Sequence, residues 1–172
     1  GETLAQRFNE LGEYPAELYL LASLFAEVEV SQRRLQSFGV SQKRHPLYAS
    51  LALRSGVISE AQAYEYFCSF AVDSIALSQL ESFASLLTES STKSALKAFL
   101  NGYQGMITHD TTGDGIDDLH IMYSRGRPKQ IHYDKNQDGV EDWVARCDFG
   151  VPTELLLPET RTFVRYKKYP FV

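Results

Sequence analysis

The chain has 172 residues and a formal net charge of -5 at pH 7, enough length for one large domain or two small ones. Hydrophobic residues make up 44 %, so each half can bury a core and general disorder is excluded. Neither half is basic, with 11 acidic and 8 basic residues before Met106 and 11 and 9 from there on, which argues against nucleic acid as a partner.

No apolar run approaches the roughly 20 residues that span a bilayer. The chain begins at Gly1 without an initiator Met or a signal peptide, and so reads as a processed or excised piece of something longer. Cys68 and Cys147 lie in different halves. They make neither a metal motif nor a disulfide framework, and both are expected to be reduced and buried.

From residue 3 to 101 the apolar residues follow a helical period. Leu4, Phe8 and Leu11 share one face of a first helix. Pro15 suits the first turn of a second, with Leu18, Leu21, Phe25 and Val28 at spacings of three and four. The apolar period continues through Leu35 to Phe38, and Gly39 ends it. Pro46 opens a third helix, with Leu47 and Leu51 inside and Gly56 closing it. Ser59 with Gln62 predicts a capping box for a helix over Ala61 to Phe70. Asp73 or Ser74 can cap a fifth, containing Ile75, Leu80, Phe83 and Leu87. Thr92 can cap a sixth, containing Leu96, Phe99 and Leu100. About six short helices joined by short turns pack as antiparallel pairs.

Gly12-Glu-Tyr-Pro-Ala16 and Gly56-Val-Ile-Ser-Glu-Ala61 each put a Gly at a helix end shortly before a small residue of the next helix. Ala61 to Ala95 is 34 residues, a tetratricopeptide period. These stretches resemble tetratricopeptide hairpins, which implies a helical-repeat half with a protein-binding surface. Glu17 stands where the first small residue would be, and Gly12 to Gly56 spans 44 residues. An irregular helical bundle is the alternative. Tyr14, Tyr19, Tyr48, Tyr64 and Tyr66 could line a groove there, but packing in the core or its rim is the ordinary role of such residues.

After Asn101 the pattern changes. Gly102 is a plausible helix end, and beyond it turn residues alternate with six strand-like runs: Met106 to Thr108, Leu119 to Tyr123, Gln130 to Tyr133, Trp143 to Cys147, Thr153 to Leu157 and Thr162 to Tyr166. The expected fold class is therefore α+β: a helical domain over 1–101, then an antiparallel β meander over 102–172.

A shift of 24 residues superposes the second half on itself. Asp110 falls on Asp134, Asp114 on Asp138, Gly115 on Gly139, Asp118 on Asp142, Gly126 on Gly150 and Pro128 on Pro152. Each unit is an acidic loop, a strand, a Gly-x-Pro turn and a second strand. Alternating connections place the acidic loops at one end of the sheet and the Gly-x-Pro turns at the other.

The loops have the oxygen pattern of a hard-cation site. Calcium takes six to eight oxygens, and ligands at loop positions 1, 3 and 5 converge when a Gly at position 6 lets the backbone wrap. In the first loop positions 1, 3 and 5 are Asp110, Thr112 and Asp114, with Gly115 next. In the second they are Asp134, Asn136 and Asp138, with Gly139. Position 7 offers the backbone carbonyl of Ile116 or Val140, whose side chain is expected to anchor the loop in the core, and position 9 is Asp118 or Asp142. The closing Glu of an EF-hand is missing, since Ile121 and Ala145 stand at position 12. This loop chemistry resembles the calcium loops between strands in integrin-type propeller repeats and thrombospondin type 3 repeats, over about residues 102 to 157. The resemblance implies two calcium ions, one per loop. Asp-Gly hairpin turns without a metal are the alternative. Thr112 supplies only a neutral oxygen, which points to a weaker first site.

His109, His120 and His132 sit at strand positions where a half-exposed His is ordinary, and Arg161, Arg165, Lys167 and Lys168 suit a solvated strand edge. There is no Gly-rich phosphate loop, nucleophile elbow or spaced acid and base pair. The expectation is a non-enzymatic calcium-binding scaffold or protein-interaction module, with a protein or peptide partner, from a larger extracytoplasmic bacterial protein. Two alternatives stand beside it. One is a non-catalytic region of a larger carbohydrate-active or hydrolytic enzyme. The other is a cytosolic helical-repeat adaptor.

Overall fold

The structure, a computed structural model, describes residues 15–41 and 43–166. The expected first helix around Leu4, Phe8 and Leu11, together with Tyr14, Lys167 and Lys168, lies outside those residues. The described residues include six helices: α1 (Ala16–Leu24), α2 (Val28–Gly39), α3 (Leu47–Arg54), α4 (Glu60–Phe70), α5 (Leu77–Leu86) and α6 (Ser90–Gly102). Seven strands make one sheet in sequence order: β1 (Ser74–Ala76), β2 (Gly105–His109), β3 (Leu119–Ser124), β4 (Arg127–Tyr133), β5 (Trp143–Asp148), β6 (Val151–Leu157) and β7 (Thr162–Arg165). The chain is thus α+β, with helices before the meander. No described helix is long and apolar enough to cross a membrane.

Two expectations are corrected. The long helix expected from Pro15 to Gly39 is two helices, because the chain leaves the helical region at Phe25 (φ -103, ψ 0) and Glu27 (φ -59, ψ 152). Its stripe does not face a core throughout: Phe25 is 83 % exposed and Val28 72 %. Folding back at this bend instead buries Leu20 with Leu35, Phe38, Tyr48 and Ala52. The second correction is Ile75, expected in a helix but found in β1, where it pairs in parallel with Ile107 and is buried. A spacing compatible with a helix lost to a strand partner 32 residues later, a contact that no local pattern encodes.

Contacts divide the chain into two compact units: residues up to Phe70 with Ser82–Lys93, and Ala71–Glu81 with the residues from Ser94 on. This differs from the boundary at 101/102 that the change of period suggests, because the second unit takes in β1 and most of α6.

In the first unit Tyr19, Tyr48 and Tyr66 pack against other rings. Phe38, Tyr48, Tyr66 and Phe70 form a chain of rings with centroids 5.3, 4.8 and 5.2 Å apart. Phe67 stacks on the fully buried Phe83 at 4.5 Å. The predicted capping box forms, with Ser59 N donating to Gln62 Oε1 at 3.0 Å and Gln62 N donating to Ser59 Oγ at 3.3 Å. α6 starts at Ser90 and holds Thr92 as a buried residue, so Thr92 is not its cap.

The buried Glu60 carboxylate serves the start of α6 instead. It accepts from Thr88 Oγ1 and N (2.5 and 2.7 Å) and from Glu89 N (3.0 Å). The Thr88 hydroxyl is the main cause that holds the Glu60 carboxyl below its usual range. A depressed folded pKa gives stability that is present above the ordinary glutamate pKa and is lost as pH falls through the folded value. Glu60→Gln should therefore lower the melting temperature at pH 7 by on the order of 5 °C, and the gap to wild type should shrink below about pH 4. Equal gaps at pH 7 and pH 3 would contradict this role.

In the second unit β2 to β7 form an antiparallel meander. The row Ile107, Ile121, Ile131, Ala145, Leu155 and Val164 runs across it on one face. The 24-residue repeat is geometric as well as sequential. A register shift between Met122 and Tyr123 recurs between Arg146 and Cys147. The turns at Arg125-Gly126 and Phe149-Gly150 are both left-handed, with φ 51 and 70, and 49 and 85. Cys68 and Cys147 are free and half-buried, less buried than expected.

Candidate metal centre

Both acidic loops lie at the same end of the sheet, between β2 and β3 and between β4 and β5. They share left-handed backbone at two matched positions. Position 6 has positive φ in both (Gly115 91, Gly139 86), and so does position 4 (Gly113 80, Gln137 56). Glycine reaches this region without strain, which is why the wrap needs it at position 6.

The wrap is held by the same three hydrogen bonds in each loop. The position-6 N–H donates to the first Asp: Gly115 to Asp110 Oδ2 at 2.7 Å and Gly139 to Asp134 Oδ2 at 3.0 Å. The position-7 N–H donates to the position-5 Asp: Ile116 to Asp114 Oδ1 at 2.9 Å and Val140 to Asp138 Oδ1 at 2.8 Å. The position-2 N–H donates to the position-9 Asp: Thr111 to Asp118 Oδ1 at 2.9 Å and Lys135 to Asp142 Oδ2 at 2.8 Å. The ten residues singled out in the sequence thus occupy two matched loops.

The loops differ in how fully their carboxylates are satisfied. In the first, Asp110 Oδ1 also accepts from Gly113 N (2.6 Å) and Thr112 Oγ1 (3.2 Å). The Gly115 N–H leads the interactions that hold Asp110 below the usual carboxylate range. Asp118 is only 2 % exposed. Burial alone would raise its pKa, yet the N–H and hydroxyl of Thr111 reverse that and leave it lowered. In the second loop, Asp134 Oδ1 is buried and has no hydrogen-bond partner. A buried carboxylate oxygen without a partner is costly to leave so. Asn136 and Asp138 bind each other, with Nδ2 donating to Asp138 Oδ2 at 2.9 Å.

Among the described residues no three His, Cys, Asp or Glu side chains stand ready together as a metal-binding group. Several carboxylates are turned onto the loops' own N–H groups. Each expected ligand set has three Asp, and in neither loop do these three converge as a metal-binding group. Ile116 and Val140 do not anchor the loops as expected: they are 59 % and 51 % exposed, because the wrap turns position 7 away from the sheet.

Two participants, Thr111 and Gln137, escape sequence reasoning, as does the pairing of His132 with Glu141. Thr111 donates its hydroxyl to Asp118 Oδ2 at 2.8 Å and so stabilises the charged carboxylate. Gln137 Nε2 reaches from the second loop to Asp114 Oδ1 and Oδ2 at 3.3 and 3.1 Å; its place opposite Gly113 in the repeat was the available signal. His132 Nδ1 lies 3.0 Å from Glu141 Oε1 and holds that carboxyl below its usual range. His120 is the cross-strand neighbour of His132.

Fold and loops together define an α+β chain that ends in a meander of two acidic-loop repeats. No protein-family model matches it, and neither does any curated protein or solved structure.

Proposed function

We propose that the chain is a non-enzymatic binding or scaffold module whose β half is held by two calcium ions, one in each acidic loop. Asp110, Thr112, Asp114, Asp118 and the Ile116 carbonyl serve the first ion. Asp134, Asn136, Asp138, Asp142 and the Val140 carbonyl serve the second. The helical half, read as tetratricopeptide-like hairpins, presents a protein-binding surface. Loops of modest charge suit millimolar calcium, hence an extracytoplasmic setting in a bacterium.

The observation that carries this reading is the buried, unpartnered Asp134 Oδ1 inside a loop that repeats the wrap of its neighbour. A bare hairpin turn has no use for a carboxylate oxygen in that state. It also predicts the order of affinity, since the ligands of the first loop already accept more internal hydrogen bonds.

Titration calorimetry with calcium should give two ions per chain, the tighter one in the second loop. Asp138→Ala should leave one ion, because it removes a charged ligand while Gly139 still permits the turn. An absence of binding heat, or two ions still bound by the variant, would leave the loops as turns and favour the helical-repeat adaptor.

A further inference from the structure

The end of the sheet away from the acidic loops carries a different chemistry. The turns β3–β4 and β5–β6 are two-residue connections with positive φ at both central positions, the type I′ geometry that Asn, Asp and Gly adopt readily. Here the first central residues are Arg125 and Phe149, which take that conformation only under strain. Phe149 is also 78 % exposed. Strain and exposure together are spent on placing a guanidinium and an aromatic ring at two neighbouring turn tips.

Between these turns lies an open cleft of about 550 Å³, lined by Arg125, Arg127, Lys129, Asp148 and Phe149 among others. Arg127 stacks over the Phe149 ring, 5.5 Å from its centroid. Among the described residues none of the three cations is in an ion pair. Asp148 offsets one charge, so the lining stays positive on a chain whose net charge is -5.

We propose that this cleft binds an acidic peptide segment of a partner protein. Its carboxylates meet Arg125, Arg127 and Lys129, and an apolar side chain packs on the free part of the Phe149 ring. Guanidinium forks match carboxylates in two-point geometry, and clustered arginines are a recurrent device for acidic motifs. The ring favours a peptide over a bare anion, which would leave it unused. The inference rests on the binding-module reading and not on calcium.

The test is fluorescence anisotropy, in calcium-containing buffer, with a labelled peptide of repeated Glu-Glu-Leu and its Gln-Gln-Leu counterpart. The Glu peptide should bind at least about tenfold tighter, and its affinity should fall as salt rises. Arg125→Asn with Arg127→Gln should weaken it by about tenfold or more. Asn suits the turn better than Arg, so the melting temperature should not fall. Phe149→Asn should weaken binding without altering its salt dependence. Equal affinity for the two peptides, no binding of the Glu peptide, or an unchanged double variant would overturn the proposal. So would competition by inorganic phosphate at the peptide's own concentration, or tighter binding of a single-stranded oligonucleotide. Ion counts from calorimetry are independent of every one of these readouts, so a failure here is separable from a failure of the calcium reading.

Discussion

Adding a chelator to the calcium-loaded protein should lower the melting temperature of the β half by roughly 10–20 °C per occupied loop, with a much smaller change in the helices. The unfolded chain cannot bring Asp134, Asn136, Asp138 and Asp142 together, so the proposed ions would bind the folded state preferentially. At calcium about 100-fold above the dissociation constant, one site adds roughly 2.7 kcal/mol. For a unit of 60–100 residues, about 1 kcal/mol moves the melting point by roughly 4–8 °C. The loops join β2 to β3 and β4 to β5, so hydrogen exchange should speed up over residues 106 to 157 first. A melting curve indifferent to chelator would remove the metal from the account. Low pH should act in the same direction. The folded pKa values of Asp110 and Asp118 are depressed, so the stability they contribute is present above the ordinary aspartate range and is lost as pH falls through the folded values.

Gly126→Ala should destabilise the second unit by roughly 2–5 kcal/mol, combining backbone strain with overpacking. Gly126 has φ 70, and a Cβ there would fall on the backbone of Leu100 and Asn101 at the end of α6. Its N–H also donates to Tyr103 O at 2.9 Å, so the turn cannot simply move away. Urea unfolding followed by the fluorescence of Trp143 would measure the loss. Gly113→Ala is the control: its φ is 80 but nothing lies within 4 Å, so it should lose only about 1 kcal/mol. Similar losses for the two variants would show that strain alone, and not the close approach, sets the role of Gly126.

The acidic loops were legible because their signal is local and repeated. Three Asp and one Gly recur at matched positions 24 residues apart, and the wrap they form closes within nine residues. The strands were legible for a related reason: period-two alternation between turn residues leaves little freedom of register. The cleft at the turn end gave no warning, since Arg125 and Phe149 look like unremarkable hairpin residues until both turns prove left-handed.

Composition and period by themselves determined an α+β chain with helices first, a meander after Gly102, and acidic loops and Gly-x-Pro turns at opposite ends. Those features follow from short-range geometry: 3.6-residue and two-residue periods, and the backbone freedom of glycine. Only the tertiary structure decided that Ile75 joins the sheet beside Ile107, and that Phe25 and Val28 face solvent while Leu20 is buried. Only it showed that Asp118 is satisfied by Thr111 while Asp134 keeps an unpartnered oxygen. For Ile75 and Leu20 the outcome depends on which distant group arrives, and for Asp118 and Asp134 on how each loop closes, so burial and hydrogen-bond satisfaction are settled by the packed chain rather than by local propensity.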